Sequence, residues 1–423
     1  MTQPAPLTPP AQTAPLGEWL QWLEGIHPVA VDMGLARVSE VADRLHLRPV
    51  EKPLVLVGGT NGKGSTVAML SSIYQAAGYC VGAYSSPHIH DFRERICVDG
   101  QMADATSIVQ ALAFVETGRA PQTLTYFEYT TLAAMRVFQQ SNCDVYIMEV
   151  GLGGRLDATN LWDADCSVIT SIALDHQDYL GSDISVIATE KAAIGRSGKL
   201  LIVGDVEPPQ SLHEYADAQD IHVEHIGKRS LSKLPLTALQ GDHQRRNAGC
   251  AVAVVEALHP SLPVSPTTIE KGLSDVRLAA RFETLEAQGV TFILDVAHNP
   301  AGASALCEAW QSRYPDHRAQ CLFACLTDKD IAGLVAALDP VVDAWHCLDL
   351  SVPRAIPVQQ LVSDVQDKTG KTVSGYSNTD SACREAIAGA LQASQLVLVA
   401  GSFHTIAAAR DAIHALESSK LSS

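Results

Sequence analysis

The stretch Leu54–Leu70, LVLVGGTNGKGSTVAML, decides the fold. An apolar run ends in glycines, a lysine stands between two more, and a helical pattern follows. Gly58, Gly59, Gly62 and Gly64 free the backbone to turn its N–H groups inward. Lys63 supplies a point charge and the next helix its positive end, a combination that suits a triphosphate. The common phosphate-loop spelling G-x-x-x-x-G-K-[ST] nevertheless fails twice, because Val57 takes its first position and Gly64 follows Lys63. The first hydroxyl is displaced to Ser65, so the ligands of a nucleotide-bound metal are expected on other strands.

Outward from this loop, short β-branched runs alternate with helical patterns. Strands are expected at Leu54–Val57, Cys80–Tyr84, Asp144–Val150, Ser167–Ile172 and Leu200–Val203, with helices at Thr66–Ala77, Tyr126–Gln140 and Ser185–Ile194. Such alternation predicts βαβ units and a parallel sheet covered on both faces. From Arg281 a second series begins, with two strands around a Gln288-Gly289 turn and then alternating helices and strands to the end. The fold class is therefore α/β: a P-loop-containing doubly wound domain followed by a smaller α/β C-terminal domain. The short, charged segment Leu273–Arg281 is the expected hinge. Residues 1–15, with five prolines, are expected to be a disordered leader, residues 16–278 the ATP-binding domain and 279–423 the C-terminal domain.

Composition narrows the function. The chain has 423 residues, 47% hydrophobic and 18% charged, with a net charge of −17. That balance argues against a nucleic-acid surface, which needs clustered Lys and Arg. No apolar run approaches the roughly 20 residues of a membrane-spanning helix. The first basic residue is Arg37, so no basic targeting segment is expected, and ten scattered cysteines read as reduced thiols in a cytoplasmic protein. Cys321 and Cys325 have a poor metal-binding spacing.

Strand ends carry the remaining chemistry. VYIMEVGLGGRLDATN ends an apolar run with Glu149, VITSIALDHQ ends another with Asp175 and His176, and VGAYSSPH ends a third with Ser85 and Ser86. Hydroxyl, carboxylate and imidazole delivered to the edge where the loop sits would make a magnesium (Mg2+) shell completed by water. Each also has a plainer reading: Ser86 as a turn former, His176 as a helix start, Glu149 as a solvated end. The string GLGGRL is a poor dinucleotide fingerprint, because Leu156 replaces its third glycine.

GTNGKGS (Gly59–Ser65) resembles the spelling of the Mur ligase superfamily of ATP-dependent amide-forming ligases. Within it, YSSPHIHDFRERI, LTYFEYTTLAA, EVGLGGRLDATN, ITSIALDHQDYLG, EKAAI, FILDVAHNP, DKDI and GSFHT resemble the dihydrofolate synthase/folylpolyglutamate synthase branch, in order along nearly the whole chain. The resemblance implies an ATP site at Gly59, Thr60, Asn61, Gly62, Lys63, Gly64 and Ser65, with Asn247, Arg281 and Asp295. It assigns Ser86, Glu149 and His176 to magnesium, and implies that Lys191 of EKAAI is carbamylated. The family spelling P-G-R-F becomes Ala279-Ala280-Arg281-Phe282 here, which leaves the hinge geometry open.

The chemistry follows from making an amide in water. The carboxylate must become a leaving group, which ATP achieves by giving its γ-phosphate to form an acyl phosphate that an amine attacks. Lys63 and Arg281 would offset the phosphoryl charge, and His298 is a candidate to take the amine proton. Fewer than 60 residues precede the loop, which leaves no room for the UDP-binding domain of the cell-wall ligases. The segment IHPVAVDMGLARVSEVADRL resembles the folate branch, where a loop at Pro28, Val29, Ala30, Val31 and Asp32 covers the pterin and accompanies use of dihydropteroate. Further pterin candidates by resemblance are Thr125, Tyr126 and Phe127, then Leu156, Asp157 and Ala158. The expected partners are therefore ATP, L-glutamate, dihydropteroate and folates, bound by a monomer. A folylpolyglutamate synthase lacking the dihydropteroate activity is the alternative.

Overall fold

The computed structural model describes the backbone of residues 8–420 and the side chains of residues 8–417. By their contacts these residues form two compact units, one of residues up to 174, 180–236 and 246–276, the other of 175–179, 237–245 and 277 onward. The two short excursions, 175–179 and 237–245, have no counterpart in the division expected from sequence. Residues 1–7 of the expected leader lie outside the described residues. Residues 8–15 do not match the expectation of disorder: Ala14 N donates to Ala11 O at 2.9 Å and Trp19 Nε1 to the same carbonyl at 3.2 Å.

The first unit carries an eight-stranded sheet among the described residues. Its strands are β1 (Leu54–Gly58), β2 (Val81–Tyr84), β3 (Ile96–Val98), β4 (Gln101–Met102), β5 (Val145–Glu149), β6 (Cys166–Ile169), β7 (Leu200–Val203) and β8 (His222–His225), in the order β4-β3-β2-β5-β1-β6-β7-β8. All pairs are parallel except β2–β3 and β3–β4 at one edge. β1 and β5 are buried at every position, as strands covered by helices on both faces must be. The helix Lys63–Ala76 packs against the helix Pro266–Asp275. At their closest point a Cβ on Gly272 would meet Ile73 Cα at 2.5 Å. Only glycine allows that approach, and Ser72 Oγ donates to the Gly272 carbonyl at 2.7 Å.

The second unit carries a six-stranded sheet, β9 (Glu283–Ala287), β10 (Val290–Leu294), β11 (Ala319–Phe323), β12 (Val342–Leu348), β13 (Thr372–Tyr376) and β14 (Leu396–Ala400), ordered β13-β12-β11-β14-β10-β9. β9 and β10 form the expected hairpin, with φ of +51° at Gln288 and +81° at Gly289, the two left-handed residues of a tight two-residue turn. The remaining pairs are parallel. No helix among the described residues is long and apolar enough to cross a membrane.

Candidate active site

The loop after β1 is held by the residues that follow β6. Thr60 N donates to Ser171 O at 2.7 Å, and Asn61 N to Ser171 Oγ at 3.0 Å. Thr170 Oγ1 donates to the Asn61 carbonyl at 2.7 Å, while Thr60 Oγ1 donates to Ala173 O at 3.1 Å. These bonds explain why β6 stops at Ile169, short of the expected Ile172: residues 170–173 leave the sheet to brace the loop. Gly59 has φ +135°, and a Cβ there would lie 2.0 Å from Thr170 Oγ1. Gly62 has φ +92°, and its Cβ would meet Asn247 Oδ1 at 2.6 Å, so Asn247 packs directly on the loop as its assignment requires.

Lys63 opens the helix, and its Nζ donates to the Gly59 and Thr60 carbonyls at 3.1 Å each. Ser65 Oγ is buried and has no hydrogen-bond partner. An orphaned hydroxyl costs about 1–3 kcal/mol, so its place beside a cradle of backbone amides marks a site built for a ligand with acceptor oxygens.

At the ends of β2 and β5, Ser86 N donates to Glu149 Oε2 at 3.2 Å, which joins two of the three expected metal residues. Glu149 is buried. A carboxylate beside a serine at strand ends offers the oxygens a hard divalent cation selects. His176 falls in the second unit with φ +52°, a left-handed conformation uncommon outside glycine. Among the described residues no group of three or more His, Cys, Asp or Glu is gathered for a metal. Lys191 is buried near the end of the helix Ile184–Ala192 rather than lying on its surface. The glycine turn after Glu149 packs on it: a Cβ on Gly154 would lie 3.0 Å from Lys191 Cα. Arg155 N donates to Glu190 O at 2.9 Å beside it.

The three segments assigned to a pterin come together within the first unit. Phe127 packs on the turn after β5, where a Cβ on Gly151 would meet its ring at 2.5 Å. The same substitution at Gly153 would lie 3.6 Å from Met33 Cε, in the loop that follows Asp32. Thr125 caps the helix Tyr126–Gln140 in a reciprocal box with Glu128. Asp157 is fully enclosed; burial pushes its carboxyl up, against hydrogen bonds from Thr159, Leu152 and Gly151. Ala158 opens a short 3-10 turn and Leu156 precedes it. Arg95 lies over both the Phe92 and Tyr126 rings, 5.9 and 5.8 Å from their centroids, and donates to His88 Nδ1. No resemblance pointed to Arg95, although it stands in YSSPHIHDFRERI.

In the second unit Asp295 is buried, which pushes its carboxyl up against the opposing pull of the Arg281 charge. Its oxygens accept Phe282 N at 2.8 Å and Ala297 N at 3.0 Å. Arg281 lies over the Phe403 ring at 5.7 Å. Ala280, where the family has glycine, keeps a left-handed φ of +56°. Glu283 sustains it by accepting Ala280 N at 2.8 Å while paired with Arg410. The lost glycine therefore leaves the backbone turn intact. His298 accepts no free role here: Nδ1 faces Val296 O at 3.0 Å and Nε2 faces Asp175 Oδ2 at 3.2 Å. Lys329 reaches Asp175 Oδ1 at 2.7 Å and Asn299 Nδ2 reaches Oδ2 at 3.0 Å. Burial pushes the Asp175 carboxyl up, but its bond with His298 and the surrounding positive charges prevail and hold it well below the usual range.

Residues 57–255 match the Mur ligase middle domain, and residues 280–403 the Mur ligase glutamate ligase domain. The dihydrofolate synthase/folylpolyglutamate synthase of Escherichia coli is 40% identical over 97% of this chain and 98% of its own. The structure of E. coli FolC in complex with DHPP and ADP superposes with a TM-score of 0.89 at 39% identity, covering 96% of this chain and 99% of that one. A bifunctional folylpolyglutamate synthase/dihydrofolate synthase with Mn, AMPPNP and L-glutamate bound has a TM-score of 0.85 at 39% identity, covering 96% and 100%. The chain belongs to the dihydrofolate synthase/folylpolyglutamate synthase family of the Mur ligases.

Proposed function

We propose that this chain joins L-glutamate to the carboxylate of dihydropteroate, giving dihydrofolate, and extends folates with further glutamates, converting ATP to ADP and phosphate each time. The observation that carries the reading is the Gly59–Ser65 loop, folded as a phosphate cradle with an orphaned buried hydroxyl inside it. The relatives supply the acid and the amine: DHPP with ADP in one structure, and L-glutamate with a nucleotide and Mn in another.

In this reading the loop amides, Lys63 and Ser65 hold the triphosphate, with Asn247, Arg281 and Asp295 around the nucleotide. Leaving the Gly59 and Thr60 carbonyls, Lys63 would turn its charge to the transferring phosphoryl group. A carboxylate oxygen of the pteroate attacks the γ-phosphorus and ADP departs. The glutamate amine then attacks the acyl phosphate, and phosphate leaves with that carboxylate oxygen. Most of the acceleration is positioning and charge stabilisation, as in other phosphoryl transfers. A divalent metal accompanies the nucleotide; magnesium, when bound, would neutralise phosphate charge, and we assign Ser86, Glu149 and His176 to it. Carbamylation of Lys191 would add a carboxylate in the same neighbourhood, which its burial beside the glycine turn favours over a surface role. A proton-accepting role for His298 requires one of its two hydrogen bonds to open first.

Pro28, Val29, Ala30, Val31 and Asp32 would cover the pterin, with Thr125, Tyr126, Phe127, Leu156, Asp157 and Ala158 as its further contacts. A monomer in the cytoplasm completes the reading, consistent with ten free thiols. ADP release with dihydropteroate and L-glutamate tests it. Turnover of both dihydropteroate and tetrahydrofolate is expected; turnover of tetrahydrofolate alone would reduce the protein to a folylpolyglutamate synthase.

A further inference from the structure

We propose that Arg37 is a positioning residue for the pteroate substrate, because it ties two walls of that site together. The inference rests on the pteroate assignments above. Residues 26–35 connect the helices Leu16–Gly25 and Ala36–Arg44, and Val29 at their centre is more than half exposed. Arg37, in the first turn of the second helix, reaches back and donates to both the Asp32 side chain and the Asp32 carbonyl. Its Nε points the other way, 3.0 Å from Glu128 Oε2 and 2.9 Å from Oε1.

Glu128 is the residue that closes the cap on the pteroate helix. Its Oε2 accepts Thr125 N and Thr125 Oγ1, both at 2.8 Å. One guanidinium therefore spans the loop Pro28–Asp32 and the turn that presents Thr125, Tyr126 and Phe127. The planar fork of arginine suits this two-sided bridge, whereas a lysine offers one point charge. Glu128 is almost fully buried and Arg37 is its cation, so the bridge is anchored at one end by a charge that needs its partner. His27 supplies a second, neutral strap: Nδ1 lies 3.0 Å from Thr123 Oγ1 and Nε2 3.2 Å from Asp32 Oδ2. Arg37 need not touch the substrate. Its effect would come through the loop, which it holds against the helix start.

Steady-state kinetics of Arg37→Met and of Arg37→Met/Glu128→Gln test this. The single variant strands a buried carboxylate and risks unfolding. The double variant removes that charge, while glutamine still completes the capping box. In the double variant KM for dihydropteroate should rise roughly tenfold or more, the effect of losing a charge-assisted hydrogen bond. KM for ATP should stay within about twofold, since one local contact is lost far from the phosphates. Arg37→Lys should fail to restore the dihydropteroate KM, because it cannot bridge both carboxylates. An unchanged dihydropteroate KM in a folded double variant, or equal rises for both substrates, overturns the inference while leaving the ligase reading intact. A wild-type protein without dihydropteroate turnover overturns both.

Discussion

Two loops of the first unit are held by opposite means. The phosphate loop is fixed by its own backbone: left-handed glycines at 59 and 62, and main-chain and hydroxyl bonds to residues 170–173. The loop of residues 26–35 is tied by charged and polar side chains that reach it from elsewhere, chiefly Arg37 and His27. A backbone-fixed loop tolerates few spellings, whereas a side-chain-tied loop can keep its shape under many. The first should therefore fail outright when altered, and the second should degrade by steps.

The largest effect is expected at Lys63. Lys63→Ala should lower glutamate-dependent ADP formation by roughly 10²–10³-fold or more while the thermal transition is retained. Near-normal turnover would remove the phosphate-loop assignment. Gly59→Ala comes next, because its Cβ would overlap Thr170 Oγ1 on a backbone closed to other residues. It should cost about 2–4 kcal/mol in chemical denaturation and abolish ADP binding by calorimetry. Full stability in that variant would mean the loop is less rigid than its geometry implies.

Ala280 sharpens the comparison, since it holds a glycine-like turn without glycine, through Glu283. Ala280→Gly should therefore stabilise the protein by about 1 kcal/mol, read from denaturant unfolding; destabilisation would show the turn is not strained. The smallest effect belongs to the neutral strap on the side-chain-tied loop. Thr123→Val removes its bond to His27 and should raise the dihydropteroate KM by no more than about fivefold, the range of one neutral hydrogen bond. A larger rise would move the burden from Arg37 to His27.

The same contrast explains what was legible in the sequence. LVLVGGTNGKGS declared its turn because few residues other than glycine accept those angles, and the strands around it followed from burial on both faces. Glu149 and Ser86 were recognisable as strand ends, and the structure joins them by a backbone hydrogen bond. Arg37 and Glu128 were not recognisable as a pair. They lie 91 residues apart, and each alone looks like a solvated charge on an amphipathic helix. The segment 175–179 was equally hidden, because its membership of the second unit depends on Asp175 meeting His298, Asn299 and Lys329. Residues 170–173 read as strand from their β-branched pattern, yet they brace the loop, a case of tertiary bonding overriding propensity.

The central claim is that a pteroate carboxylate is activated by phosphoryl transfer before glutamate attacks it. Dihydropteroate carrying oxygen-18 in its carboxylate, turned over with ATP and L-glutamate, tests this directly. The account predicts one labelled oxygen in each inorganic phosphate released, together with dihydrofolate as product. Unlabelled phosphate, with all the label kept in the pteroate, would contradict it.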